Sequence, residues 1–166
     1  EMLMRQAYKH VVGIEWTTMP TKDHAWNEIS GRYIVYEDFY EPEMFRPQSE
    51  DNKQASKDGD LSNNIINARN NSLTVREAYR AGLDYCKEIY LALLEAGVAK
   101  EQARLVLPFS TFTEVYWTCS LQAVIHFIKL RDHAGAQWEI RNLAEALKCI
   151  VSKAFPLSFQ ALMKHI

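Results

Sequence analysis

The second half of the chain carries apolar residues at the period of an α-helix, and that period limits the folds open to it. From Thr74 to Ala96, the residues Tyr79, Leu83, Cys86, Tyr90 and Leu93-Leu94 recur three or four apart, and Gly97 ends the run. That spacing puts one apolar stripe on one side of a helix, and a glycine just past the end suits its left-handed cap. Lys100 to Val106 reads as a second, short helix stopped by Pro108. Thr111 to Thr118 is β-branched and aromatic and predicts a strand. Ser120 is placed to cap a helix on Leu121, Val124, Ile125 and Ile128. Another helix follows from Gln137 to about Lys153 on Ile140, Leu143, Leu147 and Ile150, and Pro156 opens a last short one. Long helices packed on a small, mostly antiparallel sheet, an α+β fold, is the class this pattern predicts.

The first half is less periodic. Residues 2–12 read as a short helix, and Glu1 to Gln6 already look like helix interior, so an upstream segment is expected. Ile14 to Ala25 reads as a loop, Trp26 to Tyr33 as a short helix or turn, and Tyr33 to Tyr36 as a strand. Glu41 to Asn71 holds Pro42, Pro47 and many Ser, Asn, Asp and Lys residues, and reads as loop. With 166 residues and 48% hydrophobic content, the chain can build one core, and a single domain over residues 1–166 is expected.

A formal net charge of -2 gives no general attraction to nucleic acid or to an anionic membrane. An anion would have to be gripped by a few placed arginines. No apolar run approaches a membrane span and no signal peptide is visible, so the expected location is cytoplasmic. Cys86, Cys119 and Cys149 lack any paired spacing and read as buried free thiols in a reducing compartment. His126 and His133 do not have metal-ligand spacing, so no metal is expected. Glycine-rich phosphate loops and the Gly-x-Ser-x-Gly nucleophile pattern do not occur.

Three clusters could carry chemistry. In Asn27-Glu28-Ile29-Ser30-Gly31-Arg32-Tyr33, Glu28 and Arg32 stand four apart, which on a helix is either an exposed ion pair or one wall of a polar pocket. Arg104 precedes the apolar run Leu105-Val106-Leu107, where a half-buried guanidinium needs either a local carboxylate or a ligand. His126 and Arg131 flank an apolar helical face. They read either as a hydrogen-bonded core histidine and a helix-dipole cation, or as site residues.

Taken in order, these clusters resemble the flavin-dependent thymidylate synthases. That family's signature is Arg-His-Arg followed by Asn-Glu-x-Ser-x-Arg-Tyr, and Asn27 to Tyr33 matches its second half completely. Gln6 to His10, Ala103-Arg104 to Pro108, Thr113, Trp117-Thr118, Leu130-Arg131 and Ala136-Gln137-Trp138-Glu139-Ile140 follow the family's order. The resemblance implies a dUMP site of Gln6, Lys9, Glu28, Ile29, Ser30, Gly31, Arg32, Arg104 and Arg131. Arg131 would be catalytic, stabilising negative charge on the uracil ring. Flavin contacts would come from Lys9, His10, Val11, Glu28, Ser120, Gln122 and His126. The implied reaction is methylation of dUMP to dTMP with FAD as cofactor and NADPH and methylenetetrahydrofolate as co-substrates, in a homotetramer whose sites are shared between subunits.

Departures fall on the flavin side. The triplet reads Lys9-His10-Val11, about ten residues are inserted near Thr17 to Trp26, and Ser120-Leu121-Gln122 replaces Asn-Ala-Arg. They leave open a variant that transfers another one-carbon group to a pyrimidine nucleotide, and a non-catalytic nucleotide-binding relative without flavin.

Overall fold

The computed structural model describes residues 26–31, 33–52, 55–68 and 70–165. The order of elements is β1 (Trp26–Glu28), β2 (Ile65–Ala68), β3 (Asn71–Thr74), α1 (Val75–Glu95), α2 (Lys100–Ala103), a 3₁₀ turn (Arg104–Val106), β4 (Val115–Trp117), α3 (Leu121–Arg131), α4 (Trp138–Ala154) and α5 (Pro156–His165). The class is α+β, as the pattern predicts. The strands form two separate two-stranded sheets among the described residues, β1 with β4 and β2 with β3. The chain divides into two compact units, one of Glu28–Pro47 with Lys57–Val115, the other including Gln48–Ser56 and Tyr116–Ile166.

In the first unit, α1 is bounded at both ends by side-chain and backbone chemistry. Thr74 Oγ1 accepts from Glu77 N at 3.2 Å while Glu77 Oε2 accepts from Thr74 N at 2.8 Å, a capping box that satisfies two end donors. At the far end Val98 N donates to Leu93 O at 2.9 Å and Gly97 N to Leu94 O at 3.0 Å. Gly97 sits at φ +83, a region that suits glycine because it has no Cβ.

The hairpin β2–β3 was not anticipated within the Pro- and Asn-rich stretch. It is antiparallel, pairing Ile65 with Thr74 and Ala68 with Asn71 across a two-residue turn. Asn70 takes the left-handed conformation at φ 65, which asparagine tolerates better than most residues.

The loop before this hairpin is pinned onto the start of α1 by Arg76. Its guanidinium donates to Glu41 Oε1, to Pro42 O at 3.3 Å, to Glu43 O at 2.6 Å and to Ser62 Oγ at 3.1 Å. It also lies 5.4 Å from the centre of the Phe45 ring. Ser62 is buried, and Asp60 Oδ1 accepts from Ser62 N at 2.9 Å, from the Ser62 hydroxyl and from Phe45 N at 3.1 Å. Phe45 meets Tyr79 edge-on at 5.2 Å, and Tyr79 donates its hydroxyl to Tyr40 O at 2.9 Å. A segment of polar composition is thereby tied to α1 by side-chain hydrogen bonds.

The second unit has its core between helices. Phe127, Ile140 and Ala144 are buried together, with Trp117, Leu143 and Leu147 packed around them. Trp117 and Phe127 meet edge-on at 5.9 Å, a geometry worth about 0.5–1.5 kcal/mol beyond area burial. Helix α5 begins at Pro156, whose missing N–H costs nothing in a first turn. Among the described residues no helix is long and apolar enough to cross a membrane.

Hydrogen bonding from Arg80 first, and then from Arg76, holds the Glu41 carboxyl below its ordinary value of 4.5. A lowered carboxylate contributes stability that is fully present above the ordinary value and is lost as pH falls through the folded-state value. The stability gap between wild type and Glu41→Gln, measured by denaturant unfolding, should therefore be widest near neutral pH and close in acid. Arg76→Ala should cost about 2 kcal/mol at neutral pH, since it strands several acceptors at once. A cost indistinguishable from zero would show that the loop is held by something else.

Candidate functional site

The Asn-Glu motif begins on a strand. Pairing of β1 with β4 takes up the backbone at residues 26–28, Ile29 N donates to Glu114 O at 2.9 Å, and the chain then turns. Tyr33 N and Ile34 N both donate to Ser30 O, at 3.0 and 3.4 Å. Trp26 to Tyr33, expected as a short helix or turn, is thus a strand followed by a turn, and the expected strand at Tyr33 to Tyr36 is not formed. The ladder with β4 wins over local helix propensity. Glu28 ends a strand, so its four-residue spacing to Arg32 does not put the two on a helical face. Its Oε1 accepts from Thr113 Oγ1 at 2.8 Å instead.

Gly31 is buried at this turn, beneath Tyr36. A Cβ built on Gly31 would lie 2.9 Å from the Tyr36 hydroxyl oxygen and closer still to its ring. A side chain at Gly31 would therefore displace the tyrosine ring that covers it, a contact that no spacing in the sequence announces. Arg32 lies outside the described residues, as do Gln6, Lys9, His10 and Val11.

Arg104 belongs to the same unit. Its N–H closes the last turn of α2 onto Lys100 O, and Ala103 before it is fully buried. The guanidinium is exposed rather than half-buried as expected, because the 3₁₀ turn throws the apolar run outward and Leu105 is 79% exposed. The Arg104 side chain makes no hydrogen bond or ion pair among the described residues, which leaves the local salt-bridge reading without a partner.

In the second unit, α3 places the other candidates. Ser120 caps it as expected, its Oγ accepting from Ala123 N at 3.1 Å. Ala123, Ile125, Phe127 and Ile128 face inward, while Gln122 and His126, one turn apart, are both exposed. His126 is not a core histidine, since it projects from the face opposite the buried one. The amide of Gln122 and the imidazole of His126 therefore stand side by side, a pair of polar groups that suits the donor and acceptor edge of a flavin. Of the described part of the expected flavin set, Glu28, Gln122 and His126 are exposed, while Ser120 is half-buried with its hydroxyl at the helix cap.

Arg131 is the last residue of α3, and the turn behind it is tightly closed. Asp132 N donates to Ile128 O at 2.7 Å, and Asp132 Oδ2 accepts from Lys148 Nζ at 2.6 Å. His133 Nδ1 accepts from Gly135 N at 3.1 Å while Nε2 reaches Leu130 O at 3.0 Å, partners that assign the proton to Nε2. Arg131 itself is half-buried, and its Nε is buried with no hydrogen-bond partner. Position at a helix C-terminus accounts for its charge. It does not account for a buried guanidinium N–H left unmade, which costs about 1–3 kcal/mol or more.

The cysteines are all free, but not all buried. Cys149 is exposed on the outer side of α4, and Cys86 is half-buried. Burial pushes the Cys119 thiol up to about 11, so it is protonated at neutral pH and is no activated nucleophile. Among the described residues no group of three or more His, Cys, Asp or Glu side chains could hold a metal ion.

The family model described as Thymidylate synthase complementing protein matches residues 3–157. A flavin-dependent thymidylate synthase of Thermus thermophilus is 46% identical over 141 residues, 84% of this chain and 48% of the relative. One from Kosmotoga olearia is 37% identical over 82% of this chain and 57% of the relative. The chain thus spans about half the length of the curated relatives it matches. Among solved structures, the UMP/dUMP methylase PolB from Streptomyces cacaoi bound with 5-Br UMP superposes with a TM-score of 0.71 at 28% identity. That match covers 98% of this chain and 69% of PolB. With the motif loop intact and a family model that covers almost its whole length, the chain belongs to the flavin-dependent thymidylate synthase family.

Proposed function

We propose that the chain forms the nucleotide-binding part of an enzyme that methylates dUMP to dTMP, with FAD as cofactor and methylenetetrahydrofolate and NADPH as co-substrates. The observation that carries this reading is Arg131, half-buried at the end of α3 with a buried N–H that has no hydrogen-bond partner among the described residues. A guanidinium so placed is preorganised for an oxygen that gains negative charge during a reaction. Family membership supplies the chemistry, because the matching relatives are named flavin-dependent thymidylate synthases.

In this reading the substrate's phosphate meets Arg104 and Arg32, while Gln6, Lys9, Glu28, Ile29, Ser30 and Gly31 line the rest of the nucleotide site. The Thr113 hydroxyl, bonded to Glu28, fixes the direction in which that carboxylate points. Arg131 holds a uracil carbonyl oxygen and stabilises the enolate-like charge that makes C5 nucleophilic. Gln122 and His126, with Ser120, Lys9, His10 and Val11, hold FAD. Hydride transfer and relay of the one-carbon unit, which no side chain here can supply, would come from bound FAD. No cysteine nucleophile is needed, which agrees with the raised Cys119 thiol. The assembly is a cytoplasmic homotetramer whose sites are completed between subunits, and residues 1–166 form part of one catalytic domain.

A second acceptor follows from the solved neighbour PolB, a UMP/dUMP methylase. UMP is the ribonucleotide to compare.

The direct test is release of tritium from C5-labelled dUMP and, separately, from C5-labelled UMP, with FAD, methylenetetrahydrofolate and NADPH present. Release from dUMP is expected, and release from neither nucleotide would overturn the reading. Arg131→Ala should lower kcat/KM about 10²–10³-fold, the range for loss of one preorganised donor. Gly31→Ala should weaken dUMP binding by driving its Cβ into Tyr36, and Tyr36→Ala in the same chain should restore part of the loss. No restoration would mean that the glycine is needed for another reason.

A further inference from the structure

The sequence gives Lys100 no role, and the structure places it beside the motif loop. Its Nζ donates to Tyr33 O at 3.3 Å, sixty-seven residues away in the chain and next to Arg32. It is also one helical turn before Arg104, whose N–H closes onto Lys100 O. Residues four apart on a helical turn share a face, so two cations stand together there. Like charges at that spacing repel and are mildly destabilising unless an anion lies between them. Neither finds one among the described residues. Lys100 has the Tyr33 carbonyl, a neutral acceptor that uses one of its three donors, and Arg104 has no partner. Other cations of this unit are arranged differently: Arg76 and Arg80 share the carboxylate of Glu41.

We propose that Lys100 is a further phosphate-binding residue, which joins Arg104 in holding the monophosphate of the pyrimidine nucleotide while its bond to the Tyr33 carbonyl fixes the motif loop against α2. This rests on the reading of the chain as a dUMP-binding enzyme. A nucleoside monophosphate is close to a dianion at neutral pH, so one guanidinium leaves part of its charge uncompensated, and an ammonium alongside completes the match. The bond to Tyr33 O also couples the two cations to the turn that carries Ser30, Gly31 and Arg32.

The test is the affinity of the purified protein for dUMP and for deoxyuridine, which lacks the phosphate, measured by titration calorimetry for wild type, Lys100→Ala and Lys100→Arg. Lys100→Ala should weaken dUMP by about tenfold or more and leave deoxyuridine unchanged, the loss expected for one charge-assisted hydrogen bond. Lys100→Arg should recover most of it. Equal losses for dUMP and deoxyuridine would mean that Lys100 only supports the loop, and an unchanged dUMP affinity would mean that it does nothing at the site. Either result overturns the proposal while leaving the proposed function in place. Wild-type protein that binds no dUMP overturns both.

Discussion

A guanidinium taken out of bulk water must find acceptors for a rigid fork of five donors, and the arginines of this chain divide by whether the protein supplies them. Arg76 is served at both terminal nitrogens. A carboxylate, two backbone carbonyls and a buried serine hydroxyl surround it, and through them a Pro- and Asn-rich loop becomes a fixed wall against α1. Without that fork, the segment from Glu41 to Ser62 would have little apolar area to hold it in place, and the turn carrying Tyr40 and Phe45 would lose its anchor.

Arg131 and Arg104 are not served. The first ends a helix whose own turn is already closed by Asp132 and His133, and its Nε has no partner among the described residues. The second stands on a 3₁₀ turn beside another cation. The buried N–H of Arg131 costs folding free energy, and proteins keep that kind of cost where a ligand repays it, whereas the exposed Arg104 is hydrated and carries no such cost. The contrast with Arg76 gives structural content to the proposed nucleotide site that motif matching alone does not provide.

Much of this was legible beforehand. Helices α1, α4 and α5 fall within one or two residues of the stretches marked by apolar period, Gly97 and Pro156, because there local propensity and burial agree. The Ser120 cap was also readable. What misled was any segment whose shape is set across the chain. Trp26 to Glu28 became a strand because β4 offered a ladder, and the β2–β3 hairpin hid in a stretch whose composition reads as loop. The role of Gly31 depends on Tyr36, and that of Glu28 on Thr113, eighty-five residues away. Of the two readings open for His126, the core one fails, because the helical turn sends it away from the buried Ile125 and Phe127. The site residues themselves came from ordered motifs and a family resemblance, not from periodicity. Lys100 escaped both because its partner is a backbone carbonyl.

The proposed function depends most on Arg131, whose buried Nε has no partner among the described residues. A crystal structure of the protein with dUMP bound tests it most directly. The prediction is a uracil oxygen within hydrogen-bonding distance of the Arg131 guanidinium. A bound nucleotide that leaves that guanidinium untouched would contradict it.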